Sequence, residues 1–107
     1  LFKNECSRYF RSNIYVLNPR IQNKLWVPRG FLHSFAVPNI DEDNAIFQYF
    51  CDNVYNKESE GCVIYNDPTI NVDWGSLLNG IEPILSDKDK VGPTLEESNN
   101  LFVYGEL

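Results

Sequence analysis

Short apolar segments separated by turn-forming residues dominate the chain and set its predicted architecture. They lie at 14–17, 24–27, 31–37, 45–51, 62–65 and 71–74, and asparagine, proline, aspartate or glycine follows each of them. Before the last quarter of the sequence, no long stretch repeats its apolar residues with the 3.6-residue period of an amphipathic helix. The pattern therefore predicts short β-strands and an all-β domain, built as an antiparallel sandwich or barrel.

Two of these segments alternate clearly, so the face taken by each side chain can be predicted. Segment 31–37 places on one face Phe31, His33, Phe35 and Val37. Segment 45–51 places on one face Phe47, Tyr49 and Cys51. The histidine and the tyrosine in these lists are therefore expected to lie among apolar neighbours.

The later part of the chain carries turn and helix signals. Asn-Asp-Pro at 66–68 predicts a turn, because aspartate favours the first turn position and proline presets the next dihedral. Ser-Asp-Lys-Asp at 86–89 predicts a single capped helical turn, which Gly-Pro at 92–93 ends. Thr-Leu-Glu-Glu at 94–97 is a second capping pattern and predicts a short helix reaching about residue 100. We therefore expect small helices appended to the strands.

Composition and charge restrict the function classes. The chain has 107 residues, of which 43% are hydrophobic and 14% aromatic, which is enough for the core of a single domain spanning 1–107. The formal net charge of −6 argues against nucleic acid and anionic membranes as partners. No apolar stretch approaches the ~18 residues of a membrane span. The nine basic residues are scattered, whereas an anionic nucleotide would need a local cluster.

Cysteine and histidine usage argues against a disulfide framework and against a metal site. The cysteines are Cys6, Cys51 and Cys62, an odd number without Cys-x-x-Cys spacing, which is typical of reduced thiols in a cytoplasmic protein. His33 is the single histidine, and one histidine without nearby carboxylates at ligand spacing does not form the usual metal shell. Glycine-rich phosphate loops and nucleophile motifs do not occur.

Three residues carry groups that could take part in chemistry. His33 is either a core histidine held by a hydrogen bond or a polar group directed into a ligand cavity. Tyr49 lies on an apolar strand face, where packing is the usual role. Asp89 lies in a charged run that is typical of a solvated turn. From the pattern alone the structural interpretation is favoured for all three, and the chain is an all-β domain of undetermined role.

Several sequence blocks resemble those of one enzyme family. Residues 24–35 read Lys-Leu-Trp-Val-Pro-Arg-Gly-Phe-Leu-His-Ser-Phe, which resembles the Leu-Trp-Ile/Val-Pro-x-Gly-Phe-x-His-x-Phe signature of dTDP-4-dehydrorhamnose 3,5-epimerases. Further similar blocks follow in the order of the family, at 47–49, at Tyr55 with 58–61, at 66–68 with 72–74, at 83–89 and at 93–95.

This resemblance implies a cupin-type fold, an antiparallel jelly-roll barrel, which agrees with the strand pattern. It also implies a homodimer that acts on a sugar-nucleotide substrate without a metal or other cofactor. The reaction inverts C3 and C5 of dTDP-4-dehydro-6-deoxyglucose to give dTDP-4-dehydrorhamnose. It requires a base that forms an enolate and an acid that returns a proton on the opposite face.

The resemblance also implies roles for individual residues. Tyr49 falls at the position of the catalytic acid, and Asp89 matches the aspartate that orients the base histidine. His33 matches a substrate-pocket histidine, and Tyr55 matches an aromatic residue lining the substrate site. These assignments favour chemistry over packing at His33, Tyr49 and Asp89.

The base histidine of the family lies in an upstream Arg-Gly-Leu-His block, which residues 1–107 do not contain. The chain begins at Leu1, and we therefore expect it to be a C-terminal portion of an epimerase barrel that lacks the base. The alternative is a non-catalytic remnant of that fold with at most weak sugar-nucleotide binding. A third interpretation is a relative that inverts one carbon or isomerises another keto sugar.

Overall fold

Two short strands and three short helical segments make up the regular structure of the residues that can be described. The computed structural model describes residues 2–3, 12–18, 20, 24–38, 45–98 and 102–103. Strand β1 (Phe2–Lys3) pairs in parallel with strand β2 (Phe102–Val103), with Phe2 opposite Phe102. Between them lie a 3₁₀ turn (Lys57–Ser59) and two helices, α1 (Trp74–Leu77) and α2 (Asp87–Lys90). Within these ranges no helix is long and apolar enough to cross a membrane.

The best-packed part of the described chain is the segment 62–98. Its buried residues are Leu95, Asp67 and Ser98. The backbone N–H of Ile64 donates to the carbonyl of Pro93 at 2.9 Å, and the N–H of Leu95 donates to the Asp67 carboxylate at 2.8 Å. These two bonds hold the stretch around residue 64 beside the stretch around residue 94, so the core lies between them.

Helix α1 begins where the sequence pattern predicted a strand, so the strand prediction for 71–74 is wrong at its C-terminal end. Asp73 is the N-cap of α1, and its carboxylate accepts the Ser76 N–H at 3.0 Å. Asn71 has a φ of 51°, in the left-handed region that an extended strand does not use. The local hydrogen bonds of the aspartate therefore outweigh the apolar character of Val72 and Trp74.

The turn prediction at Asp67 and the two capping predictions of this region are confirmed. Asp67 opens a turn, because its carbonyl accepts the Asn71 N–H at 2.8 Å. Ser86 is the N-cap of α2 and accepts the Asp89 N–H at 3.2 Å, as the Ser-x-x-Asp spacing predicts. Thr94 and Glu97 also form their reciprocal cap, at 3.0 and 3.3 Å, but over a single turn. The predicted continuation of that helix beyond residue 98 lies outside the described residues.

The predicted strands at 14–17, 24–27, 31–37, 45–51 and 62–65 carry no strand assignment in the described residues. Their large apolar side chains are mostly exposed, for example Trp26 at 82% and Phe50 at 90%. Alternation determines which face a side chain takes, whereas a strand exists only when a neighbouring strand supplies hydrogen bonds. The all-β barrel therefore stays a prediction.

Gly92 is a position where close packing requires the absence of a side chain. A Cβ added there would lie 3.3 Å from the Ile64 backbone nitrogen, whose N–H bonds Pro93. We expect Gly92→Ala to push the two stretches apart and to lower the free energy of unfolding by about 1 kcal/mol. Urea denaturation monitored by tryptophan fluorescence would measure the change.

Gly75→Ala is the matched control for this substitution. An added Cβ in α1 would meet only the Asp73 carboxylate oxygen, at an ordinary 3.5 Å. Alanine also favours a helix over glycine by about 0.5–1 kcal/mol. We therefore expect Gly75→Ala to be neutral or stabilising, and an equal effect of the two substitutions would contradict the close-packing argument for Gly92.

Candidate functional site

An exposed aromatic cluster joins the two segments whose alternation was clearest. The rings of Phe35 and Phe47 are stacked, with centroids 3.9 Å apart and planes 14° from parallel. The ring of Tyr49 lies 5.9 Å from that of Phe47, tilted by 40°. This agrees with the prediction that Phe47 and Tyr49 share a face. Tyr49 is 73% exposed, so its phenol is accessible rather than packed in a core.

His33 is also exposed, and its ring is oriented by a local hydrogen bond. The Nδ1 atom lies 3.2 Å from the carbonyl oxygen of Phe31. A carbonyl oxygen can only accept, so Nδ1 is the donor in this hydrogen bond. The interpretation of His33 as a buried core residue does not hold in this structure.

Three interacting side chains link the loop that follows the aromatic cluster to helix α2. The carboxylate of Glu60 is close enough to Tyr55 to raise the pKa of its phenol. The same carboxylate accepts from Lys88 Nζ at 3.0 Å. Glu60 therefore connects the loop that follows Tyr49 to helix α2. We call these three residues the Tyr55–Glu60–Lys88 chain.

The electrostatics of the Tyr55–Glu60–Lys88 chain follow from these interactions. Partial desolvation and then the Glu60 carboxylate raise the pKa of Tyr55, although its side chain is 72% exposed. Tyr49 adds a smaller electrostatic contribution in the same direction. The hydrogen bond from Lys88 is the main reason that the pKa of Glu60 is lowered. The same bond raises the pKa of Lys88.

Asp89 follows Lys88 on α2 and is held by the cap of that helix. Its Oδ2 accepts from the Ser86 hydroxyl at 2.6 Å, and its N–H donates to Oγ of Ser86 at 3.2 Å. The structure thus brings Tyr49, Tyr55 and the helix that carries Asp89 into one region. It does not pair Asp89 with His33, because the bonds of both side chains are local.

The pattern analysis missed Glu60 and Lys88 as individual residues of this region. Both lie inside sequence blocks that resemble the family, at 58–61 and 83–89, and this is the signal that could have found them. Their pairing spans 28 positions, however, and a spacing of that length has no sequence signature.

A second ion pair fixes the turn at Pro-Arg-Gly. Both Nε and Nη2 of Arg29 lie 2.7 Å from Asp52 Oδ2. Gly30 follows with a φ of 84°, a conformation that glycine adopts without strain. This pair connects the start of segment 31–37 to the end of segment 45–51. The pair is exposed, so it orients the two ends more than it stabilises them.

A separate open cleft lies beside α1, away from the predicted site residues. Tyr65 and Trp74 line it, with ring centroids 6.1 Å apart, and the Trp74 indole N–H donates to the Tyr65 carbonyl at 2.7 Å. Neither this cleft nor the rest of the described chain holds a cluster of three histidine, cysteine or acidic side chains fit for a metal ion.

An accessible phenol beside a second phenol, a carboxylate and an ammonium group defines a candidate acid–base site. The sequence model of the family described as dTDP-4-dehydrorhamnose 3,5-epimerase matches residues 2–97. The chain therefore belongs to this family.

Named relatives agree with this assignment. The dTDP-4-dehydrorhamnose 3,5-epimerase of Escherichia coli (strain K12) is 41% identical over 76 residues, which cover 71% of this chain and 38% of the relative. The proteins of that name from Mycobacterium tuberculosis (strain ATCC 25618 / H37Rv) and Neisseria gonorrhoeae are 33% and 38% identical, over 77% and 73% of this chain. The matches cover 39% and 22% of those two relatives, so the chain spans well under half of their length. No solved structure matches the chain significantly.

Proposed function

We propose that this chain contributes the acid side of a sugar-nucleotide epimerase that inverts C3 and C5 of dTDP-4-dehydro-6-deoxyglucose. The observation that carries the proposal is the exposed phenol of Tyr49 within the residues matched by the family model. The match to proteins named dTDP-4-dehydrorhamnose 3,5-epimerase supports the substrate and the product, dTDP-4-dehydrorhamnose.

The chemistry requires two proton transfers at each carbon. The C4 ketone acidifies the neighbouring C–H bonds, so a base removes a proton and the electron pair moves into an enolate. An acid then delivers a proton to the opposite face of the same carbon, and the ketone re-forms. A phenol, with a reference pKa of about 10, is protonated at neutral pH and can make this delivery. The exposure of Tyr49 and the contact of its ring with that of Phe47 support this role.

The remaining residues support the substrate and the base in this proposal. Tyr55 and His33 line the substrate site, and Asp89 orients the imidazole of the base. We assign the base to the Arg-Gly-Leu-His block of the family, outside residues 1–107. Within those residues His33, whose ring is exposed, is the alternative base.

Family membership also supports the wider architecture that the sequence predicts. We propose that residues 1–107 form one portion of a cupin-type jelly-roll barrel that assembles as a homodimer. The exposure of Trp26, Ile46 and Phe50 supports this, because in a barrel such side chains would be covered by further strands. The proposed epimerisation uses no metal or other cofactor. A cytoplasmic location stays a prediction from thiol usage.

Hydrogen–deuterium exchange at the sugar tests the function. We would incubate dTDP-4-dehydro-6-deoxyglucose in D₂O with a chimaera in which this chain replaces the matching 38% of the Escherichia coli relative. We expect the C3 and C5 proton signals to disappear in NMR spectra and the inverted product to appear. Absence of the inverted product from a folded chimaera that exchanges these protons would contradict the proposal.

The chain alone, in the same D₂O experiment, tests where the base lies. We expect its exchange rate to equal that of a protein-free sample, because the base is assigned outside residues 1–107. Exchange above that level would overturn this assignment and identify His33 as the base. A His33→Gln variant would then abolish the exchange.

A further inference from the structure

A 3₁₀ turn separates Tyr55 from Glu60 along the chain. Asn56 caps this turn with its side chain, which accepts the Glu58 N–H at 3.0 Å, and Tyr55 directly precedes it. Glu60 ends the turn, and its N–H donates to the Lys57 carbonyl at 3.2 Å. The two residues therefore lie at opposite ends of one closed turn. The turn uses the backbone N–H of Glu60 and not its carboxylate, which bonds a group outside the turn.

Helix α2 needs such an external bond to have a fixed position. It has 4 residues and none of them is buried, whereas isolated helices shorter than about 12 residues are marginal in water. Its remaining described side-chain bonds are internal, from Ser86 to Asp89 and from Lys90 to Asp87. The bond of Lys88 to Glu60 thus reaches from the helix to a residue 28 positions away.

The chain just after the C-terminal end of α2 is held independently by the hydrogen bond from the Ile64 N–H to the Pro93 carbonyl. A helix that is held at one end only can rotate and tilt about that point. A second attachment fixes both its rotation and its tilt. Lys88 supplies this second attachment one residue before Asp89. The exposed ion pair itself contributes little to stability, so we expect it to affect the position of helix α2 instead.

We propose that Glu60 is a positioning residue, whose carboxylate binds Lys88 and thereby fixes helix α2, with Asp89, against the loop that follows Tyr49. The catalytic consequence rests on the proposed function, whereas the attachment itself does not. Glu60 need not touch the substrate. Its carboxylate sets the distance between the region of Tyr49, the proposed acid, and Asp89, the aspartate proposed to orient the base.

The first test uses the chain without substrate and compares Glu60→Gln with Glu58→Gln. Both substitutions remove one carboxylate from the same exposed turn, but only Glu60 bonds Lys88 and raises the pKa of Tyr55. Losing the Glu60 carboxylate should lower the pKa of Tyr55, measured by NMR titration of the tyrosine ring carbons. It should also shift the α2 amide signals and speed their hydrogen exchange. Equal responses of the two variants would overturn the proposal.

The second test uses the chimaera and separates position from stability. We expect Glu60→Gln to lower the rate of C3 and C5 exchange about 10- to 100-fold, with KM changed less than about twofold, because small misplacements of catalytic groups cost such factors. Lys88→Gln should give a similar loss, the double variant should lose no more than the larger single loss, and all three should keep the same urea midpoint. Unchanged exchange in Glu60→Gln would overturn the positioning role.

The two tests fail in different ways. If the chimaera is inactive while Tyr55 and α2 respond only to Glu60→Gln, the proposed function fails and the attachment stands. If the chimaera is active and neither Tyr55 nor α2 responds, the attachment fails and the function stands.

Discussion

Replacing Asp67 with asparagine is expected to lower the free energy of unfolding by about 2 kcal/mol, the largest stability effect in the described chain. Asp67 is 1% exposed, and its carboxylate accepts three backbone N–H groups, from Thr69 at 2.9 Å, Ile70 at 2.8 Å and Leu95 at 2.8 Å. Oδ1 accepts from Thr69 and Ile70, and Oδ2 accepts from Leu95. Asparagine offers one acceptor oxygen, so its NH₂ group would face a backbone donor.

The Leu95 amide is expected to lose its partner in Asp67→Asn. The amide oxygen of asparagine gains more by facing the two donors at residues 69 and 70. Leu95 is fully buried, so its N–H would be left without water or an acceptor, which is the costly outcome. Amide hydrogen exchange should therefore accelerate at Leu95 more than at Thr69 or Ile70. Equal acceleration at all three would contradict this account.

Asp73→Asn is the control for this substitution. Asp73 is an exposed helix cap, and asparagine caps a helix about as well as aspartate does. The expected change in the free energy of unfolding is below about 0.5 kcal/mol. Urea midpoints of the two variants would measure the difference, and similar midpoints would show that burial does not matter at Asp67.

The same carboxylate makes the difference between wild type and Asp67→Asn depend on pH. Burial alone would raise the pKa of Asp67, but the N–H groups of Leu95, Ile70 and Thr69 outweigh it, so the pKa is lowered. A lowered pKa means that the stabilisation is complete above the ordinary carboxyl pKa of about 3.9 and is lost as the pH falls through the lowered value. The stability gap between wild type and variant should therefore shrink below about pH 4.

The features predicted correctly from the sequence depend on residues within three or four positions of each other. The Ser86 cap of α2, the Thr94 cap and the turn at Asp67 are of this kind. Each is formed by a short polar side chain that bonds a backbone group a few residues away. Such bonds need no partner from elsewhere in the chain, so the sequence alone determines them.

The incorrect end of the 71–74 prediction has the same physical origin. Val72 and Trp74 give the apolar alternation of a strand, but Asp73 between them is a strong helix cap. The short-range bond of the cap determined the outcome. The other predicted strands need hydrogen bonds from distant segments, and no local feature provides those.

The candidate site also has features that the sequence predicts and features that depend on contacts between distant segments. The shared face of Phe47 and Tyr49 follows from alternation, and the resemblance blocks pointed to Tyr55 and Asp89. The bond that connects Glu60 with Lys88 joins segments 28 positions apart. Only the folded chain brings these two charges together, and the role of Glu60 could not have been predicted from spacing.

Tyr49→Phe is expected to have the largest effect on activity. In the chimaera we expect it to slow completed inversion at C5 and C3 by about 10²- to 10⁴-fold, the usual contribution of a general acid. Phenylalanine keeps the ring contact with Phe47 at 5.9 Å, so the cluster should keep its shape. Deuterium from solvent should still enter C3 and C5 of recovered substrate, because the base that forms the enolate is unchanged.

Recording deuterium incorporation and product formation in the same NMR sample separates the two proton transfers. Tyr65→Phe is the matched control, since it removes a phenol that lines the cleft beside α1, with its ring 6.1 Å from that of Trp74. That variant should keep inversion within about twofold of wild type, because its hydroxyl has no part in the proposed transfers. If Tyr49→Phe loses deuterium incorporation together with inversion, the phenol acts before or during enolate formation rather than as the returning acid. If turnover is unchanged, another group protonates the enolate and Tyr49 has no part in the reaction.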